Sequence, residues 1–110
     1  MRQTIDDVIK EMPQAFQAAA ASGLTAVYQF QLSGEGGKPF YVAIENGQLK
    51  EVKEGVHEKP DITTSMVASD YLGLTNGKLN GMNAFMTGKL KAQGNMMLGM
   101  RMDSLFTFSA

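Results

Sequence analysis

GKLKAQGNMMLGMRMDSLF, residues 88–106, carries the pattern that decides the fold. Four methionines, Met96, Met97, Met100 and Met102, crowd around Gly99. Read as a helix capped by Asn95, the stretch sets Leu98, Met102 and Leu105 on one stripe at i, i+4 and i+7, with Met96 and Met100 on a second stripe roughly opposite. A surface helix needs one apolar stripe to reach a core; a second stripe needs a partner of its own. Just before it, residues 89–93 alternate charge and oil as a short fifth strand.

Working outward, Asn80 is placed to cap a short helix that carries Met82, Phe85 and Met86 and ends at Gly88. Another short helix holds Ala68, Tyr71, Leu72 and Thr75 on one side and stops at Asn76-Gly77. Ile62, Thr64 and Met66 alternate as a fourth strand behind a polar loop at 54–61. At the start of the chain, Thr4 and Asp7 form a capping box ahead of Ile5, Val8, Ile9, Met12 and Phe16 at helical spacing. Pro13 predicts a kink or a restart there, and Gly23 a left-handed helix stop.

From Leu24 the period becomes two. Leu24, Ala26, Tyr28, Phe30 and Leu32 alternate with Thr25, Gln29, Gln31 and Ser33, which predicts a strand with one wet face. The glycine-rich turn at 33–39 lacks the Lys-Ser/Thr ending of a phosphate loop. Phe40, Val42 and Ile44 form a second strand, and Asn46-Gly47 turns it into a third around 48–53. Leu49 and Val52 have opposite parity, so that third strand is expected to hold a bulge or an edge position. With no internal repeat and no linker, residues 1–110 read as one domain.

The chain is 44% hydrophobic and 19% charged, the balance of a single globular domain. Ten basic residues against eleven acidic ones leave a net charge of −1, which builds no field for nucleic acid or an anionic bilayer. No cysteine is present, so thiolate catalysis, thiolate metal sites and disulfides are excluded. No apolar run reaches the ~18 residues of a membrane span, and residues 1–10 mix charge with oil instead of forming a leader. The tail at 106–110 lacks a Ser-Lys-Leu ending, so the cytoplasm is the expected location.

Together these residues resemble the sterol carrier protein type 2, or non-specific lipid-transfer, domain family. Met12-Pro13-Gln14-Ala15-Phe16 is similar to its first-helix signature, and Pro60-Asp61-Ile62-Thr63 to the approach to its fourth strand. The stretch Asn83-Ala84-Phe85-Met86-Thr87-Gly88-Lys89-Leu90-Lys91, followed by Gly94-Asn95-Met96, resembles its most specific part. Gly81 stands where the family often has proline, and Val67 where a small capping hydroxyl is common. The resemblance implies an α+β fold, a five-stranded mostly antiparallel sheet covered on one face by helices, with an apolar cavity between them for sterols, fatty acids, acyl thioesters or phospholipids.

Six of the nine methionines lie between Met82 and Met102. Unbranched, polarizable side chains fill irregular cores, but two opposed stripes and an extra apolar helix favour pliable walls around a guest. The expected ligand-binding residues are Leu24, Phe30, Met82, Phe85, Met86, Leu98, Met102, Leu105 and Phe106, with the last helix as a movable cover. A sealed void of ~300 Å³ would cost ~7 kcal/mol at ~24 cal/mol per Å³, so lipid or water should fill the space, or the walls should partly collapse.

His57, the only histidine, with Glu58 and Asp61 could act as a base or a metal ligand, but the loop reads as solvated surface. No catalytic residue, metal or cofactor is expected. Lys78, Lys89, Lys91 and Arg101 could draw a carboxylate or phosphate headgroup, although alternation alone accounts for the lysines of the strand. The expected function is non-enzymatic lipid binding and transfer, by a monomer or weak homodimer in transient membrane contact. The alternative is an accessory or dimerising interaction module for an enzyme of lipid or quinone metabolism.

Overall fold

The computed structural model describes residues 1–108; the tail ending, at Ser109 and Ala110, lies outside them. Helix α1 (Ile5–Ala15) begins in the capping box that its sequence predicts. The Asp7 N–H donates to Thr4 Oγ1 at 3.1 Å, while Asp7 Oδ2 accepts from the N–H groups of Gln3 and Thr4. Those backbone donors, Gln3 first, hold the Asp7 carboxyl below its ordinary range. Pro13 lies inside α1, which ends two residues later, so few turns remain for its ring to disrupt. Gly23 does not close this helix: Phe16 is already extended, a 3-10 turn spans Ala18–Ala21, and Gly23 at φ +74° follows that turn instead.

Strands β1 (Ala26–Ser33), β2 (Pro39–Glu45), β3 (Gln48–Glu54), β4 (Ile62–Val67) and β5 (Lys91–Gly94) build one sheet in the order β3-β2-β1-β4-β5. Only β1 and β4 run parallel. The weak third strand takes an edge, and its register with β2 shifts between Ala43 and Ile44. Ala43 pairs with Glu51 and Ile44 with Leu49, so Lys50 is the extra residue. The bulge puts Leu49 opposite Ile44 and Val52 opposite Val42, which reconciles their opposite parity. Strand β5 starts two residues later than its alternation predicts, because the Lys89 and Leu90 N–H groups both bond back to the Ala84 carbonyl.

One expected wet residue is buried. Gln29 is only 1% exposed, since the loop after β3 folds back over the outer face of the sheet. Its amide nitrogen donates to the carbonyls of Phe40 (3.1 Å), Gly55 (3.0 Å) and Phe30 (3.2 Å), and its Oε1 accepts from the His57 N–H at 2.7 Å. A fully partnered amide removes most of the desolvation penalty that kept it off the predicted core.

The inner face carries Tyr28, Phe30, Phe40 and Val42, all buried. Helices α2 (Ala68–Thr75), α3 (Gly81–Met86) and α4 (Met96–Leu105) follow β4 and β5 in the chain. Asn80 and Asn95 cap α3 and α4 with their side chains, as expected, while Val67 gives α2 no side-chain cap. Helix α4 is seated on the sheet: Tyr28 donates its hydroxyl to the Leu98 carbonyl at 2.8 Å, and Leu105 is fully buried. Gly99 permits the contact, because a Cβ there would stand 3.0 Å from Ile62 Cδ1.

Candidate functional site

The space expected between sheet and helices is found among the helices. Phe30 and Phe40 stack at 4.7 Å and 12°, and Tyr71 packs against them at 5.3 and 6.1 Å, so rings fill the interior at that point. Beyond Tyr71 opens a cleft of about 450 Å³. Tyr71, Leu74 and Thr75 of α2 form one wall, and Leu79, Asn80 and Gly81 lead along the rim into α3. Met102 and Asp103 of α4, then Phe106, Thr107 and Phe108, complete the opposite wall. The volume falls inside the ~300–1,000 Å³ range of small-molecule pockets. Sealed and dry, such a space would cost ~11 kcal/mol, comparable to a domain's whole stability of ~5–15 kcal/mol. Its mouth is open, so water fills it at no such cost.

Polar groups in the lining are mostly occupied by local bonds. Thr75 Oγ1 donates to the Leu72 carbonyl, Asn80 Oδ1 accepts from the Asn83 N–H, and Asn76 exchanges two bonds with the backbone of Arg2. Asp103 is the only charged side chain among the described lining residues. Burial pushes the Tyr71 phenol far above its ordinary value, so it stays neutral.

The walls are tied together at a distance in sequence. Arg2, almost wholly buried, donates through Nη2 to the Thr75 carbonyl at 2.7 Å, pairs with Glu11 and lies 5.0 Å from the centre of the Phe108 ring. A cation on the last carbonyls of α2 also suits the helix dipole. Phe106 bridges to Phe16, and the Thr107 N–H donates to the Ala15 carbonyl.

Of the nine residues singled out by sequence, the cleft brings together Met102 and Phe106. Leu105 is turned into the core, and Leu98 is partly buried against it. Phe30 is separated from the cleft by Tyr71, and Leu24 is buried beside the 3-10 turn. Met82, Phe85 and Met86 lie exposed on α3. Tyr71 and Thr75, on the stripe that defines α2, stand in the cleft wall, although periodicity alone marks them only as the packed face of a short helix.

His57 and its neighbours serve the fold. Its backbone N–H satisfies Gln29, its Nδ1 accepts from the Lys59 N–H, and its ring stands edge-on to Tyr41 at 5.0 Å. Asp61 Oδ2 accepts from the Val27 N–H at the start of β1. Among the described residues, no group of three or more His, Cys, Asp or Glu side chains converges as a metal site.

Comparison with protein families matches residues 5–107 to the SCP-2 sterol transfer family. The chain belongs to that family. Mouse hydroxysteroid dehydrogenase-like protein 2 is 29% identical over 103 residues, covering 94% of this chain and 21% of its own. Human sterol carrier protein 2 is 39% identical over 82 residues, covering 72% of this chain and 15% of its own. This SCP-2 domain thus spans about a fifth of the length of the curated relatives it matches. The solution structure of palmitated SCP2L2 from Aedes aegypti superposes with a TM-score of 0.70 at 20% identity, covering 91% of both chains, and so shares the fold. The SCP-2 membership supports lipid binding in general and a domain without catalytic chemistry of its own.

Proposed function

We propose that the chain is a non-enzymatic carrier that takes an acyl chain or sterol-like body out of water into the cleft between α2 and the end of α4. The observation that carries this is a mainly apolar cleft of about 450 Å³ whose polar groups are largely committed to local bonds. Affinity comes from apolar burial at ~25 cal/mol per Å², a force without direction, so selectivity is broad. Palmitate on the Aedes aegypti protein of the same fold supports a fatty-acid-like guest.

The test is a cleft-filling variant. A Cβ on Gly81 would meet Leu74 Cδ2 at 4.0 Å and Asp103 Oδ1 at 3.8 Å, ordinary contacts, so Gly81→Phe adds a ring to the rim with little strain. Delipidated protein is titrated with a fluorescent fatty acid. Wild type binds it, and Gly81→Phe binds about tenfold more weakly, 1.4 kcal/mol, with an unchanged melting curve. A folded Gly81→Phe protein that binds as wild type does overturns the assignment.

The length of the relatives favours one second reading, an accessory module that serves an enzyme of lipid or quinone metabolism. Native mass spectrometry separates the two: lipid on a monomer supports the carrier, and a lipid-free dimer supports the module.

A further inference from the structure

Two of the three tyrosine hydroxyls are spent on the fold. Tyr28 donates to the Leu98 carbonyl at 2.8 Å, and Tyr41 donates to Glu51 Oε2 at 3.2 Å. Tyr71 is the exception: it is 5% exposed, yet among the described residues nothing hydrogen-bonds its hydroxyl. Its ring is fixed against Phe30 and Phe40, at 5.3 and 6.1 Å between centres. The oxygen is not sealed inside protein, and the open space that Tyr71 borders is the cleft. Burial alone acts on the phenol, with no neighbouring charge or bond to draw off its proton, so it remains a donor.

The rest of the lining has no equivalent group. Thr75 Oγ1 donates to the Leu72 carbonyl, and the Asn76 side chain exchanges two bonds with the backbone of Arg2. Asn80 and Thr107 are exposed, where water partners them. Asp103, near Gly81 at the rim, brings a negative charge and no donor. Arg2 does not line the cleft; its guanidinium bonds the Thr75 carbonyl and pairs with Glu11. A carboxylate drawn down to Tyr71 would give up its water for one hydrogen bond and no cation. A hydroxyl or an ester carbonyl gives up far less. A guest without oxygen displaces water from the phenol and leaves that donor unpaired.

We propose that Tyr71 sets the chemical class of the guest: its hydroxyl donates to a neutral oxygen, an ester carbonyl or an alcohol, on a lipid that enters the cleft oxygen first. The inference rests on the cleft as the binding site and adds one directional contact to apolar burial. A site with such a donor rejects an analogue lacking the acceptor more sharply than an apolar pocket rejects a change of size.

Delipidated protein is loaded with a fluorescent fatty acid, which is then displaced by methyl dodecanoate or by chlorododecane. The ester is expected to bind about tenfold more tightly than the chloride. Tyr71→Phe removes the oxygen and no internal bond, so its melting curve stays native; it should lose about tenfold for the ester and nothing for the chloride. In wild type the carbonyl stretch of the bound ester should move to lower frequency, a shift that Tyr71→Phe abolishes and that a merely structural role would not produce. Equal affinities in wild type, an unshifted carbonyl, or a folded Tyr71→Phe protein that keeps the preference overturns the proposal. Weaker binding of all three probes by Gly81→Phe in the same experiment leaves the carrier reading standing. Absence of any binding by folded wild type overturns both.

Discussion

Gly99→Leu tests how α4 is held, and with it which side of that helix is free. In the native fold a Cβ at Gly99 already stands 3.0 Å from Ile62 Cδ1, and Ile62 is 1% exposed. Replacing glycine in a helix interior gains ~1 kcal/mol of intrinsic propensity. Gly99→Ala needs Ile62 to give by only a few tenths of an ångström, so clash and propensity nearly cancel, within ~0.5 kcal/mol. Gly99→Leu places three further carbons against a closed wall, where overpacking costs ~1–3 kcal/mol. It should also strain the Tyr28 hydroxyl bond to the Leu98 carbonyl, worth ~0.5–1.5 kcal/mol and formed at the adjacent residue. The net expectation is a loss of ~1–3 kcal/mol for leucine and almost none for alanine, read from urea midpoints at constant slope. A leucine variant as stable as the alanine one would refute the close seat of α4 on β4 and leave the sides of the helix unassigned.

Arg2→Met keeps the length of the side chain but removes its bonds to the Thr75 carbonyl and to Glu11; ~1.5–3 kcal/mol of stability should be lost in urea unfolding. Burial pushes the Tyr28 phenol up to about 12 from 10.0, so the folded state keeps a proton that the unfolded chain releases. That contribution is complete below pH 10.0 and disappears as pH rises toward 12; melting temperature should fall across this window, less steeply in Tyr28→Phe. Asp103→Asn removes the only charge from the described cleft lining, which should tighten binding of a fatty carboxylate by about fivefold, ~1 kcal/mol for like charges ~4 Å apart in water, and leave an uncharged lipid unaffected; titration calorimetry with both ligands decides.

What the sequence reveals is local. The capping box of Thr4 and Asp7, the caps at Asn80 and Asn95 and the turn at Asn46-Gly47 are set by residues a few positions apart. Even the bulge at Lys50 shows as a break in parity between Leu49 and Val52. Periodicity also finds both stripes of α4, but it cannot say which one meets the sheet. That is decided by Gly99 against Ile62 and by Tyr28 against Leu98, contacts made between distant segments. The cleft is less legible still. Its walls meet because Arg2 reaches Thr75 and Phe108, and because Thr107 bonds to Ala15. Gln29 shows the same limit from the polar side, since only a returning loop makes a buried amide affordable.

The most direct test of the cleft is methyl-detected NMR on delipidated protein titrated to saturation with palmitate. Leu74, Leu79 and Met102 line the cleft, and their methyl signals should shift together with one affinity. Leu24, beside the 3-10 turn, and Met86, exposed on α3, should stay in place. Shifts at Leu24 or Met86 without any at Leu74 and Met102, or no shifts at all, would contradict a guest bound between α2 and the end of α4.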